Sequence, residues 1–208
     1  MYLPIIITVL TGYLLGNLNG AVSISLLFGH DDVRSHGSGN AGLTNFVRSY
    51  GVTRAGLVIL IDMLKAVLAC FVGKLLLTPY YGYDMEGAVL GAIAVSLGHD
   101  FPALLGFRGG KGILCALAVV LALDWKIALI CFGLFIVVVL ITKYVSLGSI
   151  LAAICLSSLF VVYYKERPLV MAGAIALSAL AIFMHRGNIV RLCKGTERKI
   201  GLRKKGNV

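Results

Sequence analysis

Of the 208 residues, 59% are hydrophobic and only 13% charged, and a mean hydropathy of +0.95 leaves too little polar surface to coat a water-soluble globule. A soluble enzyme, a disordered binder and a secreted disulfide scaffold are excluded on that ground. The formal charge of +10 is no nucleic-acid footprint, because the basic residues punctuate apolar runs and form no continuous stripe.

In chain order, apolar runs are predicted at about 3–28, 55–77, 85–98, 112–124, 126–142, 146–163 and 169–185. They predict an all-α integral membrane protein with seven transmembrane helices, a single polytopic domain over 1–208 in a lipid bilayer. Runs 85–98 and 112–124 fall short of the ~20 residues a helix needs to cross the hydrocarbon, so some helices are short or half-spanning. Five full spans with two half-spans is the alternative. The first run has no Lys or Arg before it and no small-residue cleavage site, and reads as a retained span.

Fourteen Lys and Arg fall on one side of this arrangement and three on the other, with Lys65 and Lys74 inside the second run. The positive-inside rule then predicts the N-terminus outside and the C-terminus in the cytoplasm. Arg203, Lys204 and Lys205 contribute to that count. Cys70, Cys115, Cys131, Cys155 and Cys193 are odd in number and scattered, which suits small buried hydrophobes better than disulfides or a zinc site.

Three predicted cytoplasmic links carry more polarity than a bilayer requires. Between the first two runs, Gly37, Gly39 and Gly42 interleave with Ser35, Ser38, Asn40, Thr44 and Asn45, flanked by Arg34 and Arg48. Glycines let N–H groups converge on an anion, and hydroxyls and amides add donors; a flexible solvated loop has the same composition. The second link holds Gly98, His99, Phe101 and Pro102, then Gly109, Gly110, Lys111 and Gly112, running into an apolar helix. Such a turn can cradle a phosphate, or simply be a basic membrane border. It is not a Walker A loop, since Leu105 stands at the first glycine and Gly112 at the magnesium-binding hydroxyl.

The third link sets His185 three residues before Asn188, a base beside an amide, followed by Arg191, Gly195 and Glu197. Ser146 and Ser149 open the sixth run as helix caps or ligands. Within the second run, Asp62 and Lys65 stand at i,i+3. They read as a structural pair facing the bundle interior, or, in a small phosphate or organic-anion transporter, as the transport site.

These three signatures, in this order, resemble the bacterial acyl-phosphate:glycerol-3-phosphate acyltransferase (PlsY) family over nearly the whole chain. The resemblance implies transfer of a fatty acyl group from acyl phosphate to the 1-hydroxyl of glycerol 3-phosphate at the cytoplasmic membrane face, with neither acyl-CoA nor metal nor another cofactor. It implies catalytic roles for Ser38, His185 and Asn188, and substrate binding by Arg48, Gly109, Gly110, Lys111, Gly112, Ser149, Asn40, Asn45 and Glu197. It also allows functional coupling to an enzyme that forms acyl phosphate. Leu43, Leu114, Cys115, Asn17 and Asn19 depart from the family pattern. A CoA-dependent acyltransferase would be expected to carry a His and an Asp five positions apart, yet His30, His36, His99 and His185 are followed there by Ser35, Ala41, Leu104 and Val190.

Overall fold

A computed structural model describes residues 2–200; Arg203, Lys204 and Lys205 of the basic tail lie outside the described residues. Those residues are helical, with no strand among them. The first apolar run is broken in two, α1 (Leu3–Asn17) and α2 (Gly20–Gly29), and a loop with one 3-10 turn leads to the short polar α3 (Leu43–Tyr50). Then come α4 (Ala55–Tyr81), α5 (Asp84–Asp100), α6 (Ile113–Leu123), α7 (Trp125–Thr142), α8 (Val145–Tyr163), α9 (Pro168–Met184) and α10 (Arg186–Cys193).

Five segments among the described residues are long and apolar enough to cross a membrane, and six if α9 and α10, bent by 56°, count as one span. Run 85–98 lengthens to α5 and its following 3-10 turn and becomes one of the five. In contrast, α6 keeps 11 residues, a rise of ~16 Å that covers about half of the hydrocarbon.

Bare backbone contact packs α1, α4 and α5. A Cβ placed on Gly73 would run into the carbonyl of Gly87, and one on Gly87 into that of Gly73; Gly91 meets the Ala69 carbonyl, and Gly16 and Gly98 press on one another. Lipid supplies no hydrophobic drive for helix association, so small residues that admit close van der Waals contact take over that task. A second buried cluster, with Val89, Val120, Ile127, Leu156, Phe160 and Val170, ties α5 to α6, α7, α8 and α9.

The break between α1 and α2 is held by polar groups. Asn19 caps α2 by accepting from Val22 N at 3.0 Å and donates to the Ala41 carbonyl at 2.9 Å. Asn17 accepts from Leu104 N at 3.0 Å. Lys65 donates to the carbonyls of Gly16 and Leu18 at the end of α1, while Asp62 accepts from Gly20 N at the start of α2. The cation thus meets the negative end of one helix dipole and the anion the positive end of the next. Asp62 and Lys65, 2.9 Å apart and almost wholly buried, splice a broken helix.

Candidate active site

The polar links converge at one end of the bundle around a cavity of about 710 Å³. Its mouth is lined by Ser38, Asn40, Asn45 and Arg48 from the first link and α3, Lys111 and Gly112 ahead of α6, Ser146 and Ser149 on α8, and His185, Asn188, Arg191, Glu197 and Arg198 at the chain's end. From there it continues as an apolar slot between α6, α7, α8 and α9, past Leu117, Cys131, Phe135, Leu156 and Leu177.

The first link is shaped by Asn45. Its carbonyl oxygen accepts from Ser38 N at 2.9 Å, and its amide donates to the carbonyls of Val33 and His36, both at 3.0 Å. With both ends of the amide engaged, Asn45 holds the loop instead of reaching for a ligand. Gly37 and Gly39 adopt φ of 58° and 71°, where a side chain is strained, and a Cβ on Gly37 would strike Asn45 Oδ1. Ser38 is consequently displayed at the mouth with its hydroxyl unpartnered among the described residues.

The glycines of the second link divide by role. Gly109 and Gly110 pack on His99, Asp100 and Ala41, too tightly for any Cβ, and Gly110 N donates to the His99 carbonyl at 3.1 Å. Neither lines the cavity. Gly112 turns the chain into α6 at φ 64°, and Lys111 points to the mouth, donating to Asn188 Oδ1. Burial, and next the nearby Arg191, pull the Lys111 ammonium down to about 8, with Glu197 opposing.

The third link is organised by Glu197, which accepts from Ser146 Oγ at 2.8 Å, Asn188 Nδ2 at 2.7 Å and Arg191 Nε at 2.7 Å. Although burial raises its pKa, these bonds outweigh that effect and hold the carboxyl below its ordinary value. A carboxylate so occupied orients Asn188, which in turn orients Lys111. The His185 ring meets the Ala181 carbonyl through Nδ1 at 2.8 Å. A carbonyl only accepts, so Nδ1 carries the proton and Nε2 keeps the basic lone pair. Ser149 bonds back to Val145 O at 3.0 Å, so neither Ser146 nor Ser149 caps α8.

Arg191 and Ser146, already named in the third link and at the head of the sixth run, line the mouth, and so does Arg198, which no motif singled out; Asp62 and His99 reach its floor. Asp62, His99 and Cys115 bring ligand-type atoms within 4.8 Å of one another, but the Lys65 ammonium already lies 2.9 Å from Asp62 and 2.8 Å from His99 Nδ1, supplying the positive charge a metal ion would bring.

A membrane-embedded helical bundle with a cationic mouth opening onto an apolar slot is the build of an enzyme for phosphate-bearing amphiphiles. Residues 6–195 match the family described as glycerol-3-phosphate acyltransferase. A glycerol-3-phosphate acyltransferase of Clostridioides difficile is 42% identical over 200 residues, 96% of this chain and 97% of that one; one from a Thermoanaerobacter species is 39% identical over 196 residues, 94% and 96%. The crystal structure of PlsY, an integral membrane glycerol 3-phosphate acyltransferase, in its glycerol 3-phosphate form superposes with a TM-score of 0.85 at 36% identity, covering 95% of this chain and 96% of that one. Its lysophosphatidic acid form gives 0.82. The chain belongs to the glycerol-3-phosphate acyltransferase family and is an integral membrane acyltransferase of phospholipid synthesis.

Proposed function

We propose that this chain transfers a fatty acyl group from acyl phosphate to the 1-hydroxyl of glycerol 3-phosphate, forming lysophosphatidate and inorganic phosphate. The observation that carries the reading is the joining, in one cavity, of a cation-lined mouth and an apolar slot between α6 and α9, which suits a phosphate and an acyl chain together. The reaction joins the hydroxyl oxygen to the acyl carbon and breaks the bond from that carbon to the phosphate oxygen. Acyl phosphate is already activated, so the site needs only to hold two anions close, orient the hydroxyl and stabilise the oxyanion. Lys111, held by Asn188, takes the glycerol 3-phosphate. Ser38 donates to the developing oxyanion, His185 Nε2 accepts the hydroxyl proton, and phosphate departs toward Arg48. Ser149 and Asn40 complete the wall around the reacting groups, while Asn45, Glu197 and Gly109 to Gly112 shape it. No cofactor enters the scheme.

The same reading makes the chain one polytopic domain of seven transmembrane helices, with α1 and α2 as one broken span, α6 reaching only part way, the N-terminus outside and the cavity mouth in the cytoplasm. The supporting observation is the charge bias of the links. On this reading the protein works in the bacterial inner or plasma membrane and draws acyl phosphate from the enzyme that forms it. Proteoliposomes supply the test against transport. With acyl phosphate and glycerol 3-phosphate outside, lysophosphatidate is expected to accumulate with no uptake of labelled glycerol 3-phosphate or phosphate. Uptake without lysophosphatidate would make the cavity a transport site.

A further inference from the structure

The cations at the mouth fall into two pairs. Lys111 feels the charge of Arg191, whereas Arg48 feels that of Arg198. Partial burial, and next this like-charge neighbour, pull the Arg48 guanidinium below its ordinary value, with Glu197 opposing. Within the first pair the charges are already engaged, Lys111 with Asn188 and Arg191 with Glu197. Arg48 and Arg198 both line the cavity, and neither has a hydrogen-bonded or ion-paired partner among the described residues. Glu197, the acid that Arg48 feels, is already engaged by Ser146, Asn188 and Arg191, so the like charges of Arg48 and Arg198 are left for a dianion to offset.

Arg198 is also held in place from both sides. On one side, Glu197 is pinned by Ser146, Asn188 and Arg191. On the other, the Lys199 ammonium sits 5.3 Å from the centre of the Tyr144 ring and Ile200 N donates to the Lys143 carbonyl at 2.8 Å. The segment after α10 is therefore a strap laid across the start of α8. Of its last four described residues, Arg198 alone lines the cavity together with Glu197.

We propose that Arg198 is a further substrate-binding residue of this enzyme, forming with Arg48 a second phosphate seat that takes the phosphoryl group of the acyl phosphate. The proposal rests on the acyl-transfer reading, in which Lys111 serves glycerol 3-phosphate and the donor's phosphate must lie on another cation. A guanidinium fork suits this role, because it can bind two phosphoryl oxygens at once.

Steady-state kinetics of purified wild-type, Arg198→Gln and Arg198→Lys proteins, each substrate varied in turn, test it. Arg198→Gln is expected to raise KM for palmitoyl phosphate by about tenfold, leaving KM for glycerol 3-phosphate and kcat within about threefold of wild type, and Arg198→Lys is expected to recover part of the loss. An unchanged KM for the acyl phosphate, or a shift in KM for glycerol 3-phosphate instead, overturns the assignment. A merely structural strap would lower kcat and melting temperature with no rescue by Lys. Inorganic phosphate binding by calorimetry separates the two claims: a wild-type protein that makes no lysophosphatidate refutes acyl transfer, and weaker phosphate binding by Arg198→Gln upholds the seat regardless of turnover.

Discussion

Ser38 and Asn45 illustrate how two polar residues of one loop divide the work. The Ser38 hydroxyl supports none of the loop's hydrogen bonds, whereas the Asn45 side chain makes three of them. Ser38→Ala is accordingly expected to leave the fold and melting temperature unchanged while lowering kcat by about a hundredfold, the scale of one lost oxyanion donor. Asn45→Ala should lower both, since it unties three backbone groups. A Ser38→Ala protein with normal kcat would remove the hydroxyl from the reaction. Lys111 adds a pH signature. The phosphate is held by the ammonium form, already present below about pH 8 in the empty site. Above that, binding must take up a proton, so affinity for glycerol 3-phosphate should fall by about tenfold per pH unit. KM measured from pH 7 to 9.5 checks this, and Lys111→Ala should raise KM by about tenfold to a hundredfold and abolish the trend. A flat profile in the wild-type enzyme would contradict it. Residue types and spacing made Ser38, Lys111, His185 and Asn188 legible in the sequence. Division of the glycines was not legible, because Gly109 and Gly110 are demanded by contact with His99 and Asp100, and such an approach leaves no local trace.

Among the elements, the broken first span departs furthest from its sequence pattern. An apolar run of about 26 residues reads as one helix, yet Leu18 and Asn19 leave the helix, and the side chains of Asn19, Asp62 and Lys65 satisfy the exposed ends. Asn19 binds this break to the first link through the Ala41 carbonyl, and Asn17 binds it to the second through Leu104 N. The i,i+3 spacing of Asp62 and Lys65 predicted a pair facing inward, but their partners lie more than 40 residues away and no local rule supplies them. Removing one member leaves a buried unpaired charge. Lys65→Ala is therefore expected to destabilise the protein by about 3–5 kcal/mol, read as a lower melting temperature in detergent. A fully stable Lys65→Ala protein that had lost only activity would instead argue for a direct role at the cavity floor. Conversely, α3 and α10 are short and polar, and the links that contain them showed as signatures before they showed as helices.

At the scale of the whole molecule, helix packing sets a cationic mouth at the head of an apolar slot, and the chemistry follows from that juxtaposition. Hydropathy located the helices, and the order of the three links along the chain gave the resemblance, but the cavity depends on α6, α7, α8 and α9 lining one slot behind the mouth, which arises only in packing. The central claim is direct transfer from acyl phosphate to glycerol 3-phosphate within that cavity. Purified protein quenched after mixing with palmitoyl phosphate, with and without glycerol 3-phosphate, tests it when lipid, phosphate and intact protein mass are measured in the same samples. One lysophosphatidate and one phosphate per acyl phosphate consumed, with no acylated protein when the acceptor is omitted, is the expected result. No lysophosphatidate, or a stoichiometric acyl adduct on Ser38, would contradict it.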